Sequence, residues 1–128
     1  MLLYLDDEKE AALRLATAAD VPAACIERHR FPDGELKLRL PAQLPERTML
    51  YRSLDNPNEK LVELLIAAQT ARTLGARHLD LVAPYLAYMR QDMAFTPGEA
   101  VSQRVVGRFL AGLFDAIVTV DPHLHRID

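Results

Sequence analysis

The stretch TMLYRSLDNPNEKLVELLIAAQTARTLGARHLDLVAPY, residues 48–85, decides the fold. TMLYRSL has the length and composition of a strand. Asn56 stands where a helix N-cap belongs, Pro57 takes the first helical position, and Glu59 falls at the third, the spacing of a capping box. Leu61, Leu64, Leu65 and Ala68 recur at helical spacing, and Gly75 supplies the stop. HLDLVAPY follows as a second strand. Strand, long helix and strand in that order make a crossover unit whose two strands lie parallel. Val62 and Ile66 fall off the main stripe, so this helix is expected to be covered on a second side, by a subunit contact or by a third layer.

Downstream the alternation continues. MRQDMAFTPGE reads as a polar loop, GEAVSQRVVGRFLAGLF as a helix with Val101, Val105, Phe109 and Leu113 inside, and AIVTVD as a last strand. Upstream, Leu2 to Leu5 reads as a short buried strand. A helix from Glu8, marked by Ala12, Leu13, Leu15 and Ala16, ends before Pro22, because the residue preceding proline avoids the helical region. AACIERHRF and ELKLRL flank Pro32-Asp33-Gly34, and in the second run Leu36, Leu38 and Leu40 alternate with Lys37 and Arg39. Residues 1–128 therefore read as one α/β domain, a mainly parallel sheet flanked by helices, with a β-hairpin near residues 23–40.

Composition narrows the function. A formal net charge of −3 argues against a domain that neutralises a nucleic-acid backbone. The opening MLLYL runs straight into DDEKE, which lacks the basic start and long apolar core of a signal peptide. No apolar run approaches the ~20 residues of a membrane span. A single cysteine, Cys25, forms no internal disulfide, and a reducing cytoplasm is the expected location.

Parallel sheets bind ligands beyond the carboxyl ends of their strands. Two polar stretches fall at such ends. In YMRQD, Arg90, Gln91 and Asp92 could bind a nucleotide, the guanidinium stacking on a base or gripping phosphate, or could form a solvated loop with a local Arg90–Asp92 contact. In DPHLH, Asp121, His123 and His125 could hold a metal or phosphate, or be solvated loop residues. His29 and His78 stand alone and receive no chemistry. Phe31, beside the hairpin tip, is either a core plug or an exposed stacking surface. No phosphate-binding glycine motif occurs, and Ser53 and Ser102, the only serines, sit in no nucleophile elbow.

Taken together, RFPDGELKLRL, NPNEKLVELLIAAQTARTLGARHLDLVAPYLAYMRQD and GEAVSQRVVGRFLAGLFDAIVTVDPHLHRI resemble, in order and spacing, the N-terminal half of ribose-phosphate pyrophosphokinase. The resemblance implies a phosphoribosyltransferase-like fold in a magnesium-dependent enzyme that transfers pyrophosphate from ATP to ribose 5-phosphate. It implies that Arg90, Gln91 and Asp92 belong to the ATP site, with Arg90 against the adenine. Phe31, Asp33 and Glu35 would close that site from a neighbouring subunit of a dimer or hexamer. His123 would lie by the magnesium-bound phosphates, as metal-site and catalytic residue.

Two departures stand out. Many members carry a basic residue after Arg-Gln-Asp, where this chain has Met93. The family's second domain, with its ribose 5-phosphate loop and mobile catalytic loop, has no counterpart in residues 1–128, so this chain alone is expected to be inactive. A non-catalytic nucleotide-binding or regulatory relative is the alternative. A hydrolase using His123 and His125 on zinc is a further one.

Overall fold

A computed structural model describes residues 1–120. Within them lie the strands β1 (Leu2–Leu5), β2 (Ala23–Arg30), β3 (Leu36–Arg39), β4 (Arg47–Tyr51), β5 (His78–Val82) and β6 (Ala116–Val118). The α-helices are α1 (Lys9–Ala19), α2 (Pro57–Thr73) and α3 (Ser102–Leu113), and a 3-10 turn spans Asp6–Glu8. The strands form one sheet in the order β3-β2-β1-β4-β5-β6. Every neighbouring pair is parallel except β2 and β3, which pair antiparallel with Glu27 opposite Arg39 and Arg30 opposite Leu36. The expected hairpin and the expected crossover over residues 48–85 are both present. The direction of strand addition reverses between β1 and β4.

Side chains alternate across a strand, so the wholly buried β1 feeds two cores. Leu3 and Leu5 join Leu50, Leu64, Leu79, Leu81 and Leu110 beneath α2 and α3. Leu2 and Tyr4 join Ala12, Ala16 and Tyr51 beneath α1. Helices on both faces bury such a strand, which is why MLLYL reads as a continuous apolar run. Among the described residues, no helix is long and apolar enough to cross a membrane.

Several boundaries differ from the sequence reading. Strand β4 ends at Tyr51 rather than Leu54, because Arg52 turns inward to an ion network. Asn56 does precede α2, but its side chain makes no capping bond. It adopts the left-handed conformation (φ 48°), which asparagine tolerates better than most residues. Glu59 therefore closes no capping box and pairs with Arg30 of β2 instead. In α3, Val105 is 63% exposed, against expectation, and Val106, Phe109, Leu110 and Leu113 face the core. Stepping by four residues rotates about 40° past a full turn each time, so a 101-105-109-113 stripe drifts off the buried face. Leu13 is likewise exposed on α1, while Ala12 and Ala16 turn in. Helix α2 ends as expected, with Gly75 at φ 120°. A Cβ there would lie 2.8 Å from the Leu44 carbonyl oxygen, so this turn requires glycine. Val62 is 49% exposed, so no third layer covers it among the described residues.

Candidate functional site

The Arg90-Gln91-Asp92 segment lies beyond the carboxyl end of β5, close to the starts of α2 and α3. Ala83 N–H donates to Val118 O (2.8 Å), and Leu54 N–H donates to Tyr85 O (2.8 Å), so the chain leaves the sheet under control from both neighbours. Residues 87–90 then turn sharply. Tyr88 sits at φ 64°, a conformation that is strained for an aromatic residue. Its hydroxyl donates to Asn58 Oδ1 on the first turn of α2. Gln91 N–H donates to Tyr88 O (3.2 Å), and Gln103 N–H, at the start of α3, donates to Gln91 O (3.0 Å). The loop backbone is thus fastened to both helices while Arg90 and Gln91 remain exposed. The Arg90 side chain has no hydrogen bond or ion pair among the described residues. Phe95 N–H and Thr96 Oγ1 donate to the Glu99 carboxylate, which folds the remainder of the loop.

Phe31, Asp33 and Glu35 occupy the tip of the β2–β3 hairpin. Phe31 N–H donates to Glu35 O (2.8 Å), Gly34 N–H donates to Phe31 O (2.9 Å), and Glu35 N–H donates to Asp33 Oδ1 (3.0 Å). Asp33 therefore spends one oxygen on closing the turn. Gly34, at φ 94°, supplies the left-handed residue that the turn needs. Phe31 is no core plug, being 40% exposed, and its ring meets His29 edge to face at 4.8 Å and 83°. It separates two clefts. One, of about 500 Å³, lies along Glu27, His29, Lys37 and Arg39, and the other, of about 390 Å³, along Glu35, Leu36, Val62 and Ile66. Among the described contacts, none joins Arg90 or Gln91 to Phe31, Asp33 or Glu35. Asp121, His123 and His125 lie outside the described residues.

Between these groups stands a charge network that the sequence reading missed. Arg52 and Glu63 are each 1% exposed. Arg52 Nε donates to Glu63 Oε1 (2.9 Å), and its Nη1 donates to Asp7 (2.6 Å) and Glu8 (2.7 Å). Arg28 Nη1 donates to the other Glu63 oxygen, and Ser53 N–H donates to Glu8 Oε2 (2.9 Å). Burial alone would discourage the Arg52 charge, but Asp7, Glu8 and Glu63 outweigh it and hold the guanidinium protonated more firmly than usual. Burial also works against the Asp7 carboxylate, and there Arg52 and Arg28 prevail, keeping it below its ordinary range. A glutamate inside the apolar run LVELLI was the one sequence signal for this network, since buried carboxylates require partners.

Residues 1–113 match the family model for the N-terminal domain of ribose phosphate pyrophosphokinase. Among curated proteins, the chain is similar to ribose-phosphate pyrophosphokinase of Methanopyrus kandleri, 42% identical over 111 residues covering 86% of this chain and 38% of that one. It is also similar to the enzyme of the same name from Saccharolobus solfataricus, 38% identical over 112 residues, 85% of this chain and 38% of that one. The crystal structure of phosphoribosylpyrophosphate synthetase from Mycobacterium smegmatis superposes with a TM-score of 0.85 at 27% identity, covering 98% of this chain and 44% of that one. The chain thus spans about two fifths of the length of these relatives. It belongs to the ribose-phosphate pyrophosphokinase family, as a counterpart of that family's N-terminal domain.

Proposed function

We propose that this domain supplies the ATP-binding half of an enzyme that makes phosphoribosyl pyrophosphate and AMP from ATP and ribose 5-phosphate. The observation that carries the reading is the placement of Arg90 and Gln91, exposed on a loop whose backbone is pinned beyond the carboxyl end of β5. Helix α2 has no side-chain N-cap bond and begins at Pro57, so the backbone N–H groups of its first turn after the proline could face a phosphate. In the reaction, the 1-hydroxyl oxygen of the sugar bonds to the β-phosphorus, the bond from that phosphorus to the α–β bridging oxygen breaks, and AMP leaves. Such a transfer needs positioning and charge neutralisation more than covalent catalysis.

Arg90 would stack on the adenine, with Gln91 and Asp92 binding beside it. Phe31, Asp33 and Glu35 would close the site of a neighbouring subunit in a homo-oligomer, Phe31 offering an exposed ring and Glu35 a carboxylate that the turn does not use. Among the described residues, no group of three or more His, Cys, Asp or Glu could hold a metal. Mg²⁺ would arrive with the nucleotide, held mainly by phosphate oxygens and water, and would offset the phosphate charge. His123 would assist at those phosphates. A cytoplasmic location suits these substrates.

Phosphorus NMR of the longest natural product of the gene, mixed with Mg-ATP and ribose 5-phosphate, tests the reading. Sugar-dependent AMP with a new pyrophosphate ester supports it, and Arg90→Ala should remove Mg-ATP binding. Met93, 45% exposed where the resemblance implies a base, favours the regulatory relative as the second reading. ATP binding without AMP formation would select it.

A further inference from the structure

Asn58 and Glu59 are consecutive residues on the first turn of α2, and each reaches a different half of the candidate site. Asn58 Oδ1 accepts from the Tyr88 hydroxyl and so holds the loop bearing Arg90, Gln91 and Asp92. Glu59 forms an ion pair with Arg30, the residue immediately before Phe31 on the hairpin. One turn further on, Glu63 repeats the second contact with Arg28. Glu59 and Glu63 are four apart on a helix, and Arg28 and Arg30 are two apart on a strand, so both pairs share one face of each element. The hairpin is therefore laddered to α2 by two rungs. Lys60 Nζ, next along the helix, donates to Ser53 O (3.0 Å) and Asp55 Oδ1 (3.1 Å), which steadies the turn itself.

We propose that Asn58 and Glu59 are positioning residues that set both halves of the site from a single helical turn. Asn58 would fix the Arg90 loop through Tyr88, and Glu59 the Phe31 hairpin through Arg30. What the halves bind rests on the nucleotide reading above, while the anchoring itself does not. The left-handed Tyr88 gives the first anchor its purpose. A strained aromatic residue needs an outside hold to stay in place, and its only described side-chain bond is to Asn58. Both contacts are exposed. Their loss costs the fold little, so variants remain testable.

The test is amide hydrogen exchange, followed by NMR on this chain. Asn58→Leu should speed exchange at least fivefold at the Gln91 and Gln103 amides and leave the Phe31 and Gly34 amides unchanged. Glu59→Gln should do the reverse. Asn58→Asp, which still accepts from the Tyr88 hydroxyl, should restore the parent rates, and Tyr88→Phe should match Asn58→Leu. In the longest natural product, Asn58→Leu should raise the KM for Mg-ATP severalfold with kcat nearly unchanged, again rescued by aspartate. The proposal is overturned if Asn58→Leu leaves the loop amides unaltered, if aspartate fails to rescue, or if either variant loosens both halves equally. Unchanged Mg-ATP binding in Arg90→Ala would sink the nucleotide reading instead, with the exchange results still deciding the anchoring.

Discussion

Glu63→Gln is the sharpest probe of how this domain is held together. The change keeps volume and one acceptor oxygen, so it opens no cavity, but it removes the charge that Arg52 and Arg28 share. It also turns an amide donor toward a guanidinium. Removing one partner of a buried ion pair costs about 3–5 kcal/mol. The lower end applies here, near 3 kcal/mol, because Arg52 keeps Asp7 and Glu8. For 128 residues the unfolding entropy is about 0.27 kcal/mol per kelvin, so the midpoint should fall by about 11 °C. Circular dichroism melts and urea titrations at pH 7 read both quantities. The loss should persist in 0.5 M salt, since a buried pair is poorly screened. As a control, Glu46→Gln at the exposed Glu46–Arg77 pair should cost under about 0.5 kcal/mol. A midpoint shift below about 3 °C for Glu63→Gln would refute the argument that this carboxylate neutralises buried charge.

The same network sets an acid limit. The Asp7 carboxyl is held below its ordinary 3.8, so its contribution is fully present above that value and is lost as pH falls through the lower folded value. Melts between pH 5 and 2 should therefore show a steep decline that Arg52→Met makes shallower. Gly75→Ala should cost about 2 kcal/mol by chemical denaturation, since alanine at φ 120° is strained and its Cβ meets the Leu44 carbonyl. A change under about 0.5 kcal/mol would mean that the turn adjusts. Met93→Lys, at an exposed position, should leave the melt unchanged and tighten Mg-ATP binding about threefold by calorimetry, and weaker binding would place Met93 away from the phosphates.

Local signals carried most of the fold. The alternation in ELKLRL, the proline and glycine that bracket α2, and the run of β-branched residues in AIVTV all report on their own neighbourhood, and each element they marked is present. Errors arose where a residue's environment depends on distant partners. Arg52 in YRSL looks like an ordinary surface charge, and Glu63, though conspicuous in an apolar run, gives no hint of its partners until α2 packs against the sheet. Glu59 has capping-box spacing, yet Arg30 competes for it from another element, and tertiary pairing wins. The site followed the same division. Arg90, Gln91 and Asp92 could be named from a linear motif, whereas Asn58 and Tyr88, thirty positions apart, could not.

The buried network also explains why the loop after β5 is the better place to look for a ligand. Doubly wound sheets usually bind in the crevice where strand order reverses, which here lies between β1 and β4. The side chains at that crevice are Asp7 and Glu8 from the turn after β1 and Arg52 from the end of β4. A guanidinium has five N–H donors. Arg52 commits Nε to Glu63, Nη1 to both Asp7 and Glu8, and Nη2 to Glu63 at 2.7 Å, and it is all but closed to solvent. To grip a phosphate it would have to abandon carboxylates already in place, at a cost that a screened anion from water does not offset. Arg90 has no such commitments among the described residues and stands in solvent on a pinned backbone. The crevice is thus occupied by the protein's own acids, whereas Arg90, on the loop after the next strand, keeps an unpaired guanidinium among the described residues for the nucleotide proposed above.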